Sequence, residues 1–193
     1  MTESNSYYVH PTAVVESRAI GEGTKIWHFA HVRKGSKIGE NCNIGKSVYI
    51  DIDAEIGNNV KIQNFVSVYK GVIIEDDVFV GPSATFTNDL YPRAFIWDES
   101  HVSSTRICRG ASIGANATLV CGITVGEYAM IGAGSVVAKD VPPFALVLGN
   151  PARQKGYVCY CGHRLKEDAT KSSGSGETVY KCPACAKSVE ITK

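Results

Sequence analysis

One aliphatic position returns every six residues along the first part of the chain: Val14, Ile20, Ile26, Val32, Ile38, Ile44, Ile50, Ile56, Ile62, Val68, Ile74 and Val80. The residue two places before each rung is small or β-branched from Thr24 on, through Ala30, Ser36, Cys42, Val48, Ala54, Val60, Val66, Val72, Val78 and Ala84. A helix repeats near 3.6 residues and a plain strand near 2, so a period of six reads as three strand steps with a corner. Three such hexads close a triangular coil, and stacked coils pair as parallel strands about 4.8 Å apart. Glycines after the rungs (Gly21, Gly39, Gly45, Gly57, Gly81), with the Asn, Asp and Lys residues between them, suit corners that need unusual φ. Each buried Ile or Val contributes about 1.5–3 kcal/mol. A single coil cannot collect that burial, so at least three must stack.

The period breaks after Val80 and resumes at Ile107, Ile113, Leu119, Val125, Ile131 and Val137. The gap of 27 residues is one hexad plus a 21-residue insertion, about Thr85 to Arg106. The fold class is therefore all-β, a parallel β-helix of about six coils with an insertion loop. Long loops on rigid scaffolds are where function concentrates, and this one is polar and aromatic. The ladder is expected to stop at Val141-Pro142-Pro143, because proline cannot donate to a further strand. This divides the chain into a lead-in (1–13), the β-helix (14–156, with its loop at 85–106) and a tail (157–193).

A net charge of +1 gives no footprint for nucleic acid or an acidic membrane. The opening MTESNSYY is polar and no run approaches a membrane span, so a cytoplasmic protein is expected. Four of the seven cysteines follow Val158, as Cys159-Tyr160-Cys161-Gly162 and Cys182-Pro183-Ala184-Cys185, with a Ser/Gly linker at Ser172–Gly176 between them. The spacing reads as a zinc-ribbon-like tail in which Cys159, Cys161, Cys182 and Cys185 hold a structural zinc, with His163 able to replace one ligand. The first knuckle is CxC rather than the common CxxC, and a redox pair or idle cysteines remain alternatives. Cys42 is a buried repeat residue; Cys108 and Cys121 receive no role.

Eighteen residues per coil turn the ladder into a ruler. Subtracting eighteens from Thr85–Asn88 gives Ser67–Lys70, Tyr49–Ile52 and His31–Lys34. The neighbours of an inward rung point outward, so His31, Arg33, Lys34, Tyr49, Asp51, Tyr69 and Lys70 are expected along one edge below the loop. Arg106, Cys108 and Arg109 are expected above it. Such a groove suits a phosphorylated sugar, with cations on phosphates and rings against base or sugar. The bland alternative is an ordinary solvated face.

The hexads resemble the hexapeptide-repeat transferases, and the resemblance implies a left-handed β-helix, a homotrimer and acyl transfer. Phe86-Thr87-Asn88-Asp89 with Pro92-Arg93, Lys25-Ile26-Trp27-His28-Phe29-Ala30-His31, Val68-Tyr69-Lys70-Gly71 and Gly81-Pro82 narrow it further. These segments resemble bacterial enzymes that acetylate the 3-amino group of a nucleotide-linked sugar, nearest to those acting on UDP-2-acetamido-3-amino-2,3-dideoxyglucuronate for surface polysaccharides. The resemblance covers residues 8 to 155. It implies acetyl-CoA as co-substrate. The loop supplies Asn88 and Asp89 as candidate catalytic residues, and the edge below it supplies His31, Arg33, Tyr49, Tyr69 and Lys70, with Arg93 of the loop, as candidate substrate contacts.

Attack of an amine on a thioester needs a neutral, aimed amine and a route out for the thiolate. Asn88 can accept from the amine; Asp89 can do so or take its proton, though an Asn-Asp pair also serves as plain turn chemistry. His31 is the better base by pKa but lies three strands, about 14 Å, from the loop. His101 lies within the loop, and orientation without a dedicated base is the favoured reading. Acetyl-CoA is expected between subunits, against Gly114, Ala115, Gly132 and Ala133 and near Lys139 and Arg153; corner geometry explains the glycines equally well. Arg33, Lys70 and Arg93 are candidates for a uronate carboxylate. The runners-up are acetylation of a dTDP-3-amino-6-deoxysugar or a hydroxyl, and a non-catalytic scaffold. A metal hydratase of the γ-carbonic anhydrase type lacks a third histidine at coil spacing.

Overall fold

The structure is a computed structural model that describes residues 6–96, 98–167 and 177–192. It is a three-faced parallel β-solenoid with almost no helix. The first face stacks Tyr8–Val9, Lys25–Ile26, Asn43–Ile44, Lys61–Ile62, Phe79–Val80, Ser112–Ile113, Met130–Ile131 and Ala145–Leu148, and Arg153–Tyr157 folds back antiparallel on the last. The second runs Val14–Val15, His31–Val32, Tyr49–Ile50, Ser67–Val68, Thr85–Phe86, Thr118–Leu119 and Val136–Val137. The third runs Ala19–Ile20, Lys37–Ile38, Glu55–Ile56, Val72–Ile74, Thr105–Ile107 and Thr124–Val125. No helix among the described residues is long and apolar enough to cross a membrane.

The core is the ladder itself. Ile26, Val32, Ile44, Ile50 and Ile62 are wholly buried, and the small residues between rungs (Ala54, Val60, Val66) fill the corners of the same cluster. Thr24 sits among them with its hydroxyl satisfied: it donates to the Gly39 carbonyl and accepts from the Cys42 amide. The third residue after each rung takes a left-handed φ of 55–62° at Phe29, Asn41, Ser47, Asp53, Asn59, Phe65, Asp77 and Ser83. The glycines that directly follow rungs do a different job from the expected one. Gly57 lacks a positive φ; a Cβ there would lie 2.8 Å from the Asp76 amide nitrogen of the coil above. Its bare Cα permits close stacking rather than a turn.

Three expectations are corrected. At the bottom the ladder slips by one residue: Val15, not Val14, pairs with Val32, and Val14 faces solvent at 54% exposure. Val9 pairs with Ile26, so the solenoid takes in Tyr8–Val9 and not only residues from 14. One corner is a residue shorter there, and two adjacent valines hide the slip. Second, Phe86 is a buried rung, so the excursion runs from Thr87 to Ser104 and Thr85 and Arg106 belong to strands. Third, the prolines do not end the stack. Val141 bridges Val125 and Ala145–Leu148 still pairs in parallel with Met130–Ile131. Pro142 and Pro143 fall at a corner, where no strand amide is lost.

Beyond the solenoid, Lys166–Glu167, Glu177–Lys181 and Ser188–Thr192 form an antiparallel sheet. Its small core of Cys159, Leu165, Cys182, Val189 and Ile191 packs against Phe144 and Tyr157 of the solenoid's end. The strand Arg153–Tyr157 straddles the expected boundary at 156/157. The Ser172–Gly176 linker and Trp97 of the insertion lie outside the described residues.

The rungs carry the stability. Ile62→Ala, at the centre of the stack, is expected to lower the unfolding free energy by about 2–5 kcal/mol in urea denaturation. Val14→Ala is expected to stay within about 0.5 kcal/mol. A large loss at Val14 would restore the unslipped ladder.

Candidate active site

The corner between the second and third faces brings several of the predicted edge residues side by side. His31, Tyr49, Ser67 and Thr85 stand side by side on successive strands of the second face. Their neighbours at the corner are Arg33, Asp51 and Tyr69. The His31 ring meets the edge of Tyr49 at 5.6 Å between centroids, and Tyr49 leans on Tyr69 at 6.1 Å. Arg33 Nη1 donates to the Tyr49 hydroxyl (3.0 Å), which donates to Asp51 Oδ1 (2.9 Å). Asp51 also caps the turn by accepting from the Ile52 amide at 2.8 Å. Burial pushes the Tyr49 phenol upward in pKa, and its hydrogen bond with Asp51 adds to that, so it stays protonated and keeps both bonds.

Glu16 closes the lower end. Its carboxylate takes His31 Nε2 at 3.3 Å and the Lys34 amide at 3.2 Å, and these hold its pKa below the usual range. Glu16 lies one coil, eighteen residues, before Lys34. At the upper end Lys70 Nζ pairs with Glu99 Oε1 of the excursion at 2.8 Å. The hydrogen bond to Glu99 raises the Lys70 pKa and fixes the ammonium. Nothing periodic points to Glu99.

The excursion is a narrow two-sided arm. Ser103 donates its amide to the Asn88 carbonyl, Asp89 bridges Val102, and Arg93 bridges Ile96. Leu90, Tyr91, Phe95 and Ile96 at its tip are exposed. Asp89 Oδ1 accepts from the Tyr91 amide at 2.7 Å, so one of its oxygens is spent on the turn. The half-buried Asn88 side chain makes no hydrogen bond among the described residues. Among the described residues Arg93 Nη1 donates only to the adjacent Pro92 carbonyl. In the same arm His101 Nδ1 is buried without a hydrogen-bond partner among the described residues.

Arg106, Cys108 and Arg109 do not line this groove. The excursion leaves from the second face and returns on the third, so the residues after it lie beyond the corner. Arg106 pairs there with Glu75 (Nε to Oε1, 2.7 Å), and Arg109 pairs with Asp77 at 3.1 Å.

The donor candidates fall into two groups. Gly114, Ala115, Gly132 and Ala133 sit at the corner between the first and second faces, where a Cβ on Gly81 would lie 2.6 Å from the Ala115 amide nitrogen and one on Gly114 would collide with Ala133. Stacking alone explains the glycines. Lys139 and Arg153 instead share one cavity of about 420 Å³ with Asp140, Pro142 and Gln154. In the tail, the sulfurs of Cys159, Cys161, Cys182 and Cys185 all lie within 4.8 Å of one another. Cys159 and Cys185 approach to 3.5 Å, as do Cys161 and Cys182, with His163 Nδ1 3.6 Å from Cys161. Backbone amides of Cys185 and Ala184 on the Cys182 sulfur bring its pKa down to about 6.

Comparison with known proteins adds independent support. The model of the bacterial transferase hexapeptide (six repeats) matches residues 19–51, 53–88 and 104–139, breaking where the excursion leaves the solenoid. The chain is 50% identical over 165 residues to the dTDP-3-amino-3,6-dideoxy-alpha-D-galactopyranose 3-N-acetyltransferase of Aneurinibacillus thermoaerophilus, covering 86% of this chain and 85% of that one. Among solved structures, a hexapeptide-repeat acetyltransferase of Vibrio cholerae O1 biovar eltor complexed with acetyl coenzyme A superposes with a TM-score of 0.56 at 27% identity, over 64% of this chain and 70% of that one. A galactoside acetyltransferase in complex with coenzyme A gives a TM-score of 0.56 at 25% identity, over 64% of each chain. Other solved neighbours are longer, the chain spanning 54% and 55% of two of them. With its six-residue period, stacked coils and interrupting arm, the chain belongs to the hexapeptide-repeat transferases.

Proposed function

We propose that this enzyme moves the acetyl group of acetyl-CoA onto the 3-amino group of a nucleotide-linked sugar, and that the acceptor is a dTDP-linked 3-amino-3,6-dideoxyhexose. The observation that carries the reading is Asn88. Asn88 stands half-buried at the root of the arm, its carboxamide without a hydrogen bond among the described residues, above the rings and cations of the corner. A substrate amine donates to its carbonyl oxygen and is thereby aimed. The amine nitrogen bonds to the thioester carbon, the C–S bond breaks, coenzyme A leaves as thiolate, and the ammonium proton passes to it or to water. The remaining Asp89 oxygen is a second acceptor for the ammonium formed in the attack. The base and diphosphate lie along Tyr49 and Tyr69.

The choice of a deoxysugar over the uronate rests on two supports. The 50%-identical relative is named for a dTDP-linked substrate. Within the groove, Arg33 lies 3.5 Å from Asp51 and 3.8 Å from Glu16, and Lys70 is held by Glu99. Two of the three expected partners for a uronate carboxylate are therefore already neutralised, leaving Arg93. The UDP-linked uronate is the second reading.

The reading extends to the assembly. The coils wind left-handed, three chains form a trimer, and acetyl-CoA lies in the cleft between neighbours with Lys139 and Arg153 towards its phosphates. A cytoplasmic setting supplies both substrates. The tail holds one structural zinc: tetrahedral Zn–S bonds of about 2.3 Å place sulfurs about 3.8 Å apart. The observed 3.5 Å pairs and the 4.8 Å limit bracket that spacing.

Free-thiol release from acetyl-CoA across dTDP- and UDP-linked 3-amino sugars tests the activity. The dTDP-3-amino-3,6-dideoxyhexose should turn over fastest, and Asn88→Ala should lower its kcat/KM by well over tenfold, more than about 1.4 kcal/mol of transition-state stabilisation. Faster turnover of the UDP uronate reverses the choice of acceptor, and wild-type rates in Asn88→Ala remove that residue from the site. Metal analysis should find about one zinc per chain, lost in Cys185→Ser. Metal-free wild-type protein would falsify the zinc site.

A further inference from the structure

We propose that the C-terminal tail walls the donor site, and that the crease it forms with the solenoid's end binds the adenine nucleotide portion of coenzyme A. This rests on the acetyl-CoA reading above.

The tail is docked, not merely tethered. The Tyr160 ring meets Tyr128 at 4.6 Å and Phe144 at 4.9 Å, both nearly perpendicular, while Tyr128 and Phe144 stack at 5.4 Å. The Val158 amide donates to the Phe144 carbonyl at 2.8 Å, and Tyr157 packs on Tyr180 at 5.0 Å. Offset and edge-on ring pairs of this kind add to burial and fix orientation.

This docking leaves a cavity of about 540 Å³ between the two parts, lined by Pro142, Phe144, Gln154 and Tyr157 on one side and Glu190 and Ile191 of the last tail strand on the other. The volume lies within the usual range for small-molecule sites. The crease adjoins the 420 Å³ cavity of Lys139 and Arg153, with Pro142 and Gln154 common to both. Lys139 makes no ion pair among the described residues, and Arg153 donates only to the Ala152 carbonyl. Asp140, the acid in that cavity, is engaged with the Thr124 amide at 2.7 Å.

The combined groove carries Lys139 and Arg153 at one end and, at the other, the rings of Phe144 and Tyr157 with the Glu190 carboxylate beside them. A purine nucleotide has that polarity, with phosphates for the cations and a planar base for the rings. Glu190 selects among purines. Adenine offers an exocyclic amino donor, whereas hypoxanthine presents a carbonyl in its place, which a carboxylate repels. Of the groups that acetyl-CoA carries, only its adenosine 3′,5′-bisphosphate end fits both halves.

Isothermal titration with adenosine and inosine 3′,5′-bisphosphates, and with coenzyme A, tests this on the full chain. Wild-type protein should bind the adenosine compound about tenfold more tightly than the inosine one, the scale of one hydrogen bond to a charged acceptor. Glu190→Ala, at an exposed strand position, should erase that preference, and Arg153→Ala should weaken both ligands alike. Gln154→Ala provides a second exposed substitution from the opposite wall, expected to weaken the adenosine compound. Equal binding of the two bisphosphates to wild-type protein, or an undiminished preference in Glu190→Ala, overturns the assignment. S-acetylpantetheine, which has neither base nor these phosphates, separates it from the enzyme reading. If that donor supports acetyl transfer while the bisphosphates bind indiscriminately, the tail's role falls and the acetyltransferase stands.

Discussion

Everything in this molecule depends on the vertical register of its coils. Each rung is buried only because another rung lies above and below it, so the apolar burial of one coil is conditional on its neighbours. The small residues at Ala54, Val60 and Val66 let three faces close on a narrow core. The bare Cα at Gly57 lets the next coil approach its corner. Strand-to-strand spacing is thereby fixed, and outward side chains inherit that precision. The eighteen-residue step that stacks Ile26 on Ile44 also stacks His31 on Tyr49.

That inheritance makes the groove. Tyr49 is held by Arg33 and Asp51, and Arg33 by Tyr49, Asp51 and Glu16, so side chains one coil apart lock one another. The arm rises where the register is interrupted and is tied to the groove by the Lys70–Glu99 pair. A chemistry that asks for aim more than for acid–base power suits this arrangement, since rigid strands supply orientation cheaply. Exposed charge pairs of this kind add little to stability. Their consequence here is electrostatic: they set carboxylates of Glu16, Asp51 and Glu99 against Arg33 and Lys70.

The sequence was most legible where it was periodic. The rungs, the small positions between them and the groove residues below the arm all follow from the six- and eighteen-residue spacings. It misled wherever the period shifted without leaving a chemical mark. Val14 and Val15 are both aliphatic, so a corner shortened by one residue left no trace. Arg106 was misplaced because an excursion that spans a corner returns on a different face. Pro142 and Pro143 looked like terminators because their corner position was not visible from composition. Glu99 and the crease beneath the tail depend on aperiodic segments and on packing between distant residues, which no spacing encodes. The four tail cysteines were legible as two knuckles by their spacing despite the irregular first one; what brings the knuckles together is the hairpin of Glu177–Lys181 and Ser188–Thr192, whose turn carries Cys182 and Cys185.

The most direct test of the central claim is the structure of the enzyme bound to a dTDP-linked 3-amino-3,6-dideoxyhexose and coenzyme A. The sugar's 3-amino nitrogen is predicted to lie within about 3.2 Å of Asn88 Oδ1, a hydrogen-bond distance, with the nucleotide running down past Tyr69 and Tyr49. A sugar seated away from the arm, for example in the charged hollow of Lys37, Glu55 and Arg109 on the third face, would contradict it.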